Sequence, residues 1–384
     1  MKTPSQQNTH SDYGDHRSLL LLSFSYEVTI DVLGVALPIF ALSLSASPFE
    51  IGLLATARAA VYGILTFATG YLSDRTNRRL MLVSSMLLSL LTAALFYVSR
   101  NPLELIAFSL FYGLATALFW PTMEALIIKI QDQSVSKSVR NLNLSWGSGA
   151  VIGPLIGGAF ITVIGLRSPF LLVAAIAVAN IVLVAWRIPN KNFAKKTHEE
   201  SSDQSNSLPV KLISVTVLFG LVISVFFAFF PVFCVEQGFS AFEVGVVLFL
   251  FGVTRMFFFY KAQSIRVGPK SMIALASIGL FLIYFGNRAT MYIGGVVLAA
   301  ATGLVYTYTI GHMLNVQENT RGTRAGIFEG SLGVGAILGP FLAGFFAELS
   351  MSYTFVFASL MGLIFIIVLG IVEKIKQVPT MSSI

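Results

Sequence analysis

Apolar runs of membrane-crossing length follow one another along almost the whole chain, separated by short polar breaks. A helix needs about 20 residues to cross roughly 30 Å of hydrocarbon. Runs near that length occupy 19–44, 49–72, 80–98, 103–128, 142–164 and 168–186. After a polar stretch at 189–207, six more occupy 210–235, 242–261, 271–285, 291–314, 325–349 and 353–371. The stretch is rich in Lys, Glu, Asp, Ser and Asn and has little to bury, so it reads as a linker. The pattern predicts an all-α membrane protein with twelve transmembrane helices in two six-helix bundles, 1–188 and 209–384, joined by a cytoplasmic linker at 189–208. The first run has a basic residue before it and Ser-Ala-Ser after it, as a cleaved leader would. Glu27 and Asp31 interrupt it, however, and its length exceeds a leader's apolar region, so it is expected to be a retained helix.

Composition agrees with this pattern. Of the 384 residues, 55% are hydrophobic and 11% charged, where a soluble chain carries roughly 25% charged residues. Soluble enzymes, disordered chains and ordinary nucleic-acid binders are thereby excluded. The net charge of +7 is explained by position. With both termini cytoplasmic, only Arg100, Arg167 and Arg288 of the 25 Lys and Arg fall in outer loops, and Arg58 and Arg255 fall inside spans. All the others lie on the inner side, as the positive-inside rule requires, facing anionic lipid and not a nucleic acid. A lone cysteine, Cys234, rules out an internal disulfide and reads as a small buried apolar side chain.

The second half echoes the first. Phe49-Glu50-Ile51-Gly52 opens the second run and Phe242-Glu243-Val244-Gly245 the eighth. Residues 145–154 (SWGSGAVIGP) and 331–340 (SLGVGAILGP), in the fifth and eleventh runs, agree at six of ten positions. Six helices per half keep the two halves in the same topology, which is the parallel-repeat plan of one class of secondary transporter.

The loop after the second run reads Gly70-Tyr71-Leu72-Ser73-Asp74-Arg75-Thr76-Asn77-Arg78-Arg79. It resembles the Gly-x-Leu-(small)-Asp-Arg-x-Gly-Arg-Arg motif of the major facilitator superfamily, with Asn77 in place of the second Gly. Asn tolerates the left-handed backbone that such a glycine supplies, so the turn is expected to survive. With the span count, linker and repeat, the resemblance covers essentially the whole chain and implies the two-bundle, pseudo-symmetric major facilitator fold. It also implies a gating latch: Gly70 and Asp74 in the turn, Asp74 capping the eleventh helix, and Arg75, Arg78 and Arg79 pairing with acids on neighbouring helices. Glu124 is the expected partner of Arg78 or Arg79. The alternative is that these arginines only anchor the topology.

Five ionisable residues inside the spans are the candidates for coupling and substrate binding. Glu27 and Asp31 are four apart and share a helix face, with Asp31 near mid-depth. A charge there costs several kcal/mol unless it meets water or a partner. Arg58, in the second span, reaches similar depth. The trio reads either as a proton- or substrate-handling group or as a structural tie between Asp31 and Arg58. Arg255, in the eighth span, is expected to line the cavity or to pair with Glu27 or Asp31. Glu329 occupies the repeat position of Asn143 and reads as a second coupling acid or as a first-turn acid favoured by the helix dipole. His312 is expected at an interface. The aromatic clusters, including 226–227, 229–230 and 257–259, are expected mostly to face lipid or neighbouring helices.

Gly149, Gly153, Pro154, Gly157 and Gly158 resemble the fifth-helix motif of antiporters in the superfamily, which implies export. Gly335, Gly339 and Pro340 repeat it in the eleventh span, as a packing device would. The fourth span lacks the intramembrane Arg of proton-driven drug exporters. No Walker A sequence, metal-spaced cluster or Ser–His pair occurs. The expectation is therefore not an enzyme, with no cofactor or metal. It is a monomeric plasma-membrane carrier that exports an amphiphilic small molecule in exchange for protons. A proton-coupled importer and a non-transporting receptor on the same fold are the alternatives.

Overall fold

In lipid no water satisfies a bare peptide group, so an apolar run of this length must close its hydrogen bonds on itself as a helix. The computed structural model describes residues 16–73, 75–128, 135–188, 210–265, 267–314 and 321–377. Their order is α1 (His16–Ser43), α2 (Pro48–Ser73), α3 (Arg78–Val98), α4 (Pro102–Ile128), α5 (Val135–Val163), α6 (Ser168–Arg187), α7 (Val210–Glu236), α8 (Ala241–Lys261), a 3₁₀ turn (Ala262–Ser264), α9 (Pro269–Tyr284), α10 (Arg288–Leu314), α11 (Arg321–Ala347) and α12 (Tyr353–Gln377). Eleven are long and apolar enough to span a membrane, and α9, at 16 residues, is shorter. Residues 189–209, which hold the expected linker, lie outside the described residues, as does Asp74.

The repeated Phe-Glu segments have a local cause. Ser240 accepts from the Glu243 amide while the Glu243 carboxylate accepts from the Ser240 amide, a capping box at the start of α8. Ser47 and Glu50 exchange the same two bonds at the start of α2. Each box satisfies amides that a helix start leaves open. Between α5 and α6, and between α7 and α8, the chain turns at Gly165 and Gly238, both with positive φ, where a side chain would be strained.

Tertiary contacts divide the chain into two units: Met1–Phe40 with Ala57–Glu200, and Ala41–Thr56 with Ser201–Ile384. In the first, Tyr26 of α1 stacks on Phe119 of α4 with ring centroids 3.7 Å apart, inside a buried cluster that also takes in Leu82, Met86 and Met123. Asn180 of α6 accepts from the Ser25 hydroxyl of α1 at 2.8 Å. In the second unit, α7 is deeply buried, with Phe226, Phe229, Phe230 and Cys234 all enclosed. Gly279 of α9 and Gly294 of α10 meet each other's backbone, so these two helices approach closely. The segment Ala41–Thr56 packs here through α11: the Phe49 ring lies 4.7 Å from Phe345 and 5.9 Å from Phe341, and the Phe49 amide donates to Glu348 at 2.8 Å.

Candidate functional site

The glycine motif of α5 holds α1. A Cβ built on Gly149 would lie 2.6 Å from the Phe24 carbonyl oxygen and 2.9 Å from the Glu27 Cβ. One on Gly153 would lie 2.6 Å from the Asp31 Cβ, and one on Gly157 3.0 Å from the Val32 carbonyl oxygen. The three glycines are spaced by four and form one stripe, so α5 approaches α1 along the face that bears both acids. Glu27 and Asp31 are half-buried there. Pro154 lies inside α5 beside this stripe, and Gly158 follows Gly157.

The same packing recurs between α11 and α7. Gly335 meets the Val217 carbonyl as Gly149 meets that of Phe24, and Gly339 lies against the Leu221 carbonyl and the Ser224 hydroxyl as Gly153 lies against Val28 and Asp31. Gly220 returns the approach, toward the Leu332 carbonyl. Matched this way, Gly220 and Ser224 stand where the first unit has Glu27 and Asp31. Pro340 lies inside α11 and presents its carbonyl to Gly52. Close helix contact therefore needs the glycines and not the acids.

Arg58 shares the face of α2 with the buried Ile51, Leu54 and Thr69, while Ile64 and Tyr71 are exposed, as lipid-facing residues are. Its guanidinium lies over the Tyr112 ring, 5.3 Å from the centroid. Gly113, the next residue, lets α4 approach: its Cβ would be 2.6 Å from the Arg58 carbonyl oxygen. The Tyr112 hydroxyl reaches the Ile30 carbonyl at 3.5 Å, the residue before Asp31. Tyr112 thus spans from Arg58 to the acid-bearing helix, a role that nothing in its own sequence surroundings announced.

Arg255 follows Val244, Leu248 and Phe251 at helical spacing on the buried face of α8, opposite the exposed Leu250, Val253, Phe257 and Tyr260. Its guanidinium lies 5.1 Å from the Phe259 centroid and 5.9 Å from that of Tyr306 on α10. Phe259 thus belongs to an inward group, and Phe257 of the same cluster is exposed. Glu329 is exposed on α11, one residue after the buried Phe328. His312 is also exposed and shares a hydrogen bond with the Tyr308 carbonyl at 2.8 Å.

At the α2–α3 turn, Arg78 is 1% exposed and donates from Nε to the Ser73 carbonyl (3.1 Å) and from Nη1 to that of Ala125 (3.0 Å). Arg79 donates to the Ala185 carbonyl at 2.7 Å, and Arg75 lies over the Tyr71 ring. Arg78 and Arg79 therefore tie α3 to the ends of α2, α4 and α6 through backbone carbonyls. Glu124, beside Ala125, is exposed, and Gly70 lies in the last turn of α2. Asn77 corrects an expectation. It is extended (φ −72°, ψ 111°) and not left-handed, and it caps α3 by accepting from the amides of Arg79 and Leu80. Its role is that of an N-cap side chain, which glycine cannot supply.

The family description Major Facilitator Superfamily matches residues 19–287. Multidrug efflux protein YfmO of Bacillus subtilis is 24% identical over 81% of this chain and 81% of its own. Multidrug resistance protein 2 of the same organism is 26% identical over 94% and 95%. In fold, the chain is similar to a point mutant of the nucleoside transporter NupG, with a TM-score of 0.78 at 12% identity over 92% and 98% of the two chains. A bacterial homolog of the human lysosomal transporter Spinster, inward-facing and occupied, gives 0.70 at 16% identity over 87% and 81%. Twelve helices, the internal repeat and these likenesses identify a multi-pass membrane transporter of small molecules and not an enzyme: the chain belongs to the Major Facilitator Superfamily.

Proposed function

We propose that this protein is a secondary active transporter that exports an amphiphilic compound in exchange for protons, with Glu27 and Asp31 as the proton-handling pair. One observation carries the reading. Both units use the same glycine packing, yet only α1 places carboxylates on the packed face, where α7 has Gly220 and Ser224. Packing does not require the acids, and ionisable groups within spans mark proton and substrate paths, which supports a role for this pair in the transport cycle. Protonation on one side and release on the other couples such acids to a proton gradient. The names of the multidrug efflux relatives support export.

In this reading the carrier is a monomer in the plasma membrane, with both termini cytoplasmic and the linker on the same side. Asp74, with Arg75, Arg78, Arg79 and Glu124, gates the inner side; Arg58, Arg255 and Glu329 complete the ionisable set. The test is flux into proteoliposomes with an imposed pH gradient, using a fluorescent amphiphilic dye. Antiport predicts uptake driven by an acidic lumen and abolished by Asp31→Asn. Uptake driven by the opposite gradient makes the protein an importer, and gradient-independent binding without flux makes it a receptor.

A further inference from the structure

Four helices of the second unit, α7, α9, α10 and α12, surround a cavity with about 20 Å³ of water-sized space. Its wall includes Leu218 and Val222 of α7, Ser277 of α9, Thr302 and Val305 of α10, and Gly362 of α12, and every residue lining it is buried. Ser277 and Thr302 bring the only polar side chains to a wall that is otherwise apolar. The other buried hydroxyls described in this unit are accounted for. Thr216, Thr302, Thr309, Ser331, Thr354 and Ser359 each donate to a backbone carbonyl. Ser277 is the exception. It is 4% exposed, and its hydroxyl has no hydrogen-bond partner among the described residues. The Ser277 carbonyl accepts from Ser359 at 2.9 Å, whereas the hydroxyl turns toward α12, where a Cβ on Gly362 would collide with it.

We propose that this cavity is a binding site for one water molecule, held between the Ser277 hydroxyl of α9 and the Thr302 hydroxyl of α10. A buried water needs roughly 10–15 Å³ of such space and two to four polar partners. The cavity meets the first condition, and its two hydroxyls meet the second. Thr302 gives its proton to the Ala299 carbonyl at 3.0 Å, so its oxygen keeps a lone pair with which to accept. Ser277 has a proton to give. One water that accepts from Ser277 and donates to Thr302 therefore serves both side chains, and it bridges α9 to α10. A buried hydroxyl without a partner loses its hydration and gains nothing in return, which is the cost the water removes. Gly362 belongs to the site as well. A side chain there would turn the Ser277 hydroxyl out of its present direction. The inference goes beyond the transporter reading and does not rest on it, because it concerns packing inside one unit.

The experiment joins a density map of the full-length protein in lipid nanodiscs, at a resolution that shows ordered waters, to thermal unfolding of variants. The expected map has a water peak within about 3.2 Å of both Ser277 Oγ and Thr302 Oγ1. A map that shows ordered waters elsewhere in the spans and none between these two oxygens overturns the proposal, whatever the variants do. Ser277→Ala separates a hydrated cavity from a dry one by the sign of its effect. With a bridging water it removes one of two anchors, and the melting temperature should fall by about 2 °C or more. In a dry cavity it removes an unmet hydroxyl, so a melting temperature at or above the parent's overturns the proposal. Thr302→Val keeps the shape and removes the other anchor, and it should also melt lower. Because both variants lose the same water, the pair Ser277→Ala/Thr302→Val should fall by less than the sum of the two single shifts. Additive shifts mean that no water joins the two hydroxyls.

Discussion

Gly153 of α5 lies directly against Asp31 of α1, with only 2.6 Å between the Asp31 Cβ and the point where a Cβ on the glycine would sit. A side chain at 153 must push α1 away beside that carboxylate. Gly153→Leu is expected to cost about 1–3 kcal/mol by overpacking. It should lower the melting temperature in detergent and abolish gradient-driven flux. Gly34→Ala, on α1 where nothing lies within 4 Å, is the control and should leave both unchanged or slightly raise the melting temperature.

The cap made by Asn77 predicts an order of substitutions. Asp keeps an acceptor for the Arg79 and Leu80 amides, so Asn77→Asp should melt like the parent. Asn77→Ala removes the cap and should destabilise by about 1 kcal/mol, as other N-cap truncations do. Thermal unfolding of the purified variants checks this, and an alanine variant as stable as the parent would remove the capping role.

Arg78 is almost wholly enclosed and serves two backbone carbonyls with two different nitrogens. Lysine has one nitrogen on a flexible stem and cannot reach both in that geometry. Arg78→Lys is therefore expected to cost about 1–3 kcal/mol through an unsatisfied buried acceptor. Transport should fall with it. Arg75→Lys, by contrast, stands at an exposed position over Tyr71 and should be mild in the same flux assay.

Glu348 predicts a local effect. Its carboxylate accepts from the Phe49 amide, so Glu348→Ala should speed hydrogen exchange in a peptide covering residues 41–56. Glu348→Gln retains an acceptor oxygen and should exchange like the parent. Equal rates in all three would mean that the aromatic contacts of Phe49 with Phe341 and Phe345 hold this segment alone.

Much of the fold was legible because lipid makes the rule severe. The short polar breaks around Ser47 and Ser240 fall where helices start, and the matching Phe-Glu segments there are matching capping boxes. The candidate site was legible only as a set of unusual charges. Glu27, Asp31, Arg58 and Arg255 stand out against apolar neighbours, but Tyr112 and Tyr306, which the arginines meet, are ordinary aromatics in aromatic-rich spans. Asn77 was misjudged for a related reason. A motif position says which residue is usual there, while the hydrogen bonds of the folded turn decide whether glycine's backbone freedom or a side-chain acceptor is needed.

The sequence by itself determined the helical class, the repeat and which ionisable residues fall inside apolar runs, because hydropathy and spacing along one chain suffice for these. Only the tertiary structure decided which face each charge takes and what it meets. The glycines of α5 stand more than a hundred residues from the acids of α1 in the chain, and Tyr306 stands about fifty from Arg255. Contacts at that separation depend on how helix surfaces interlock, and no local pattern of residues encodes that interlocking.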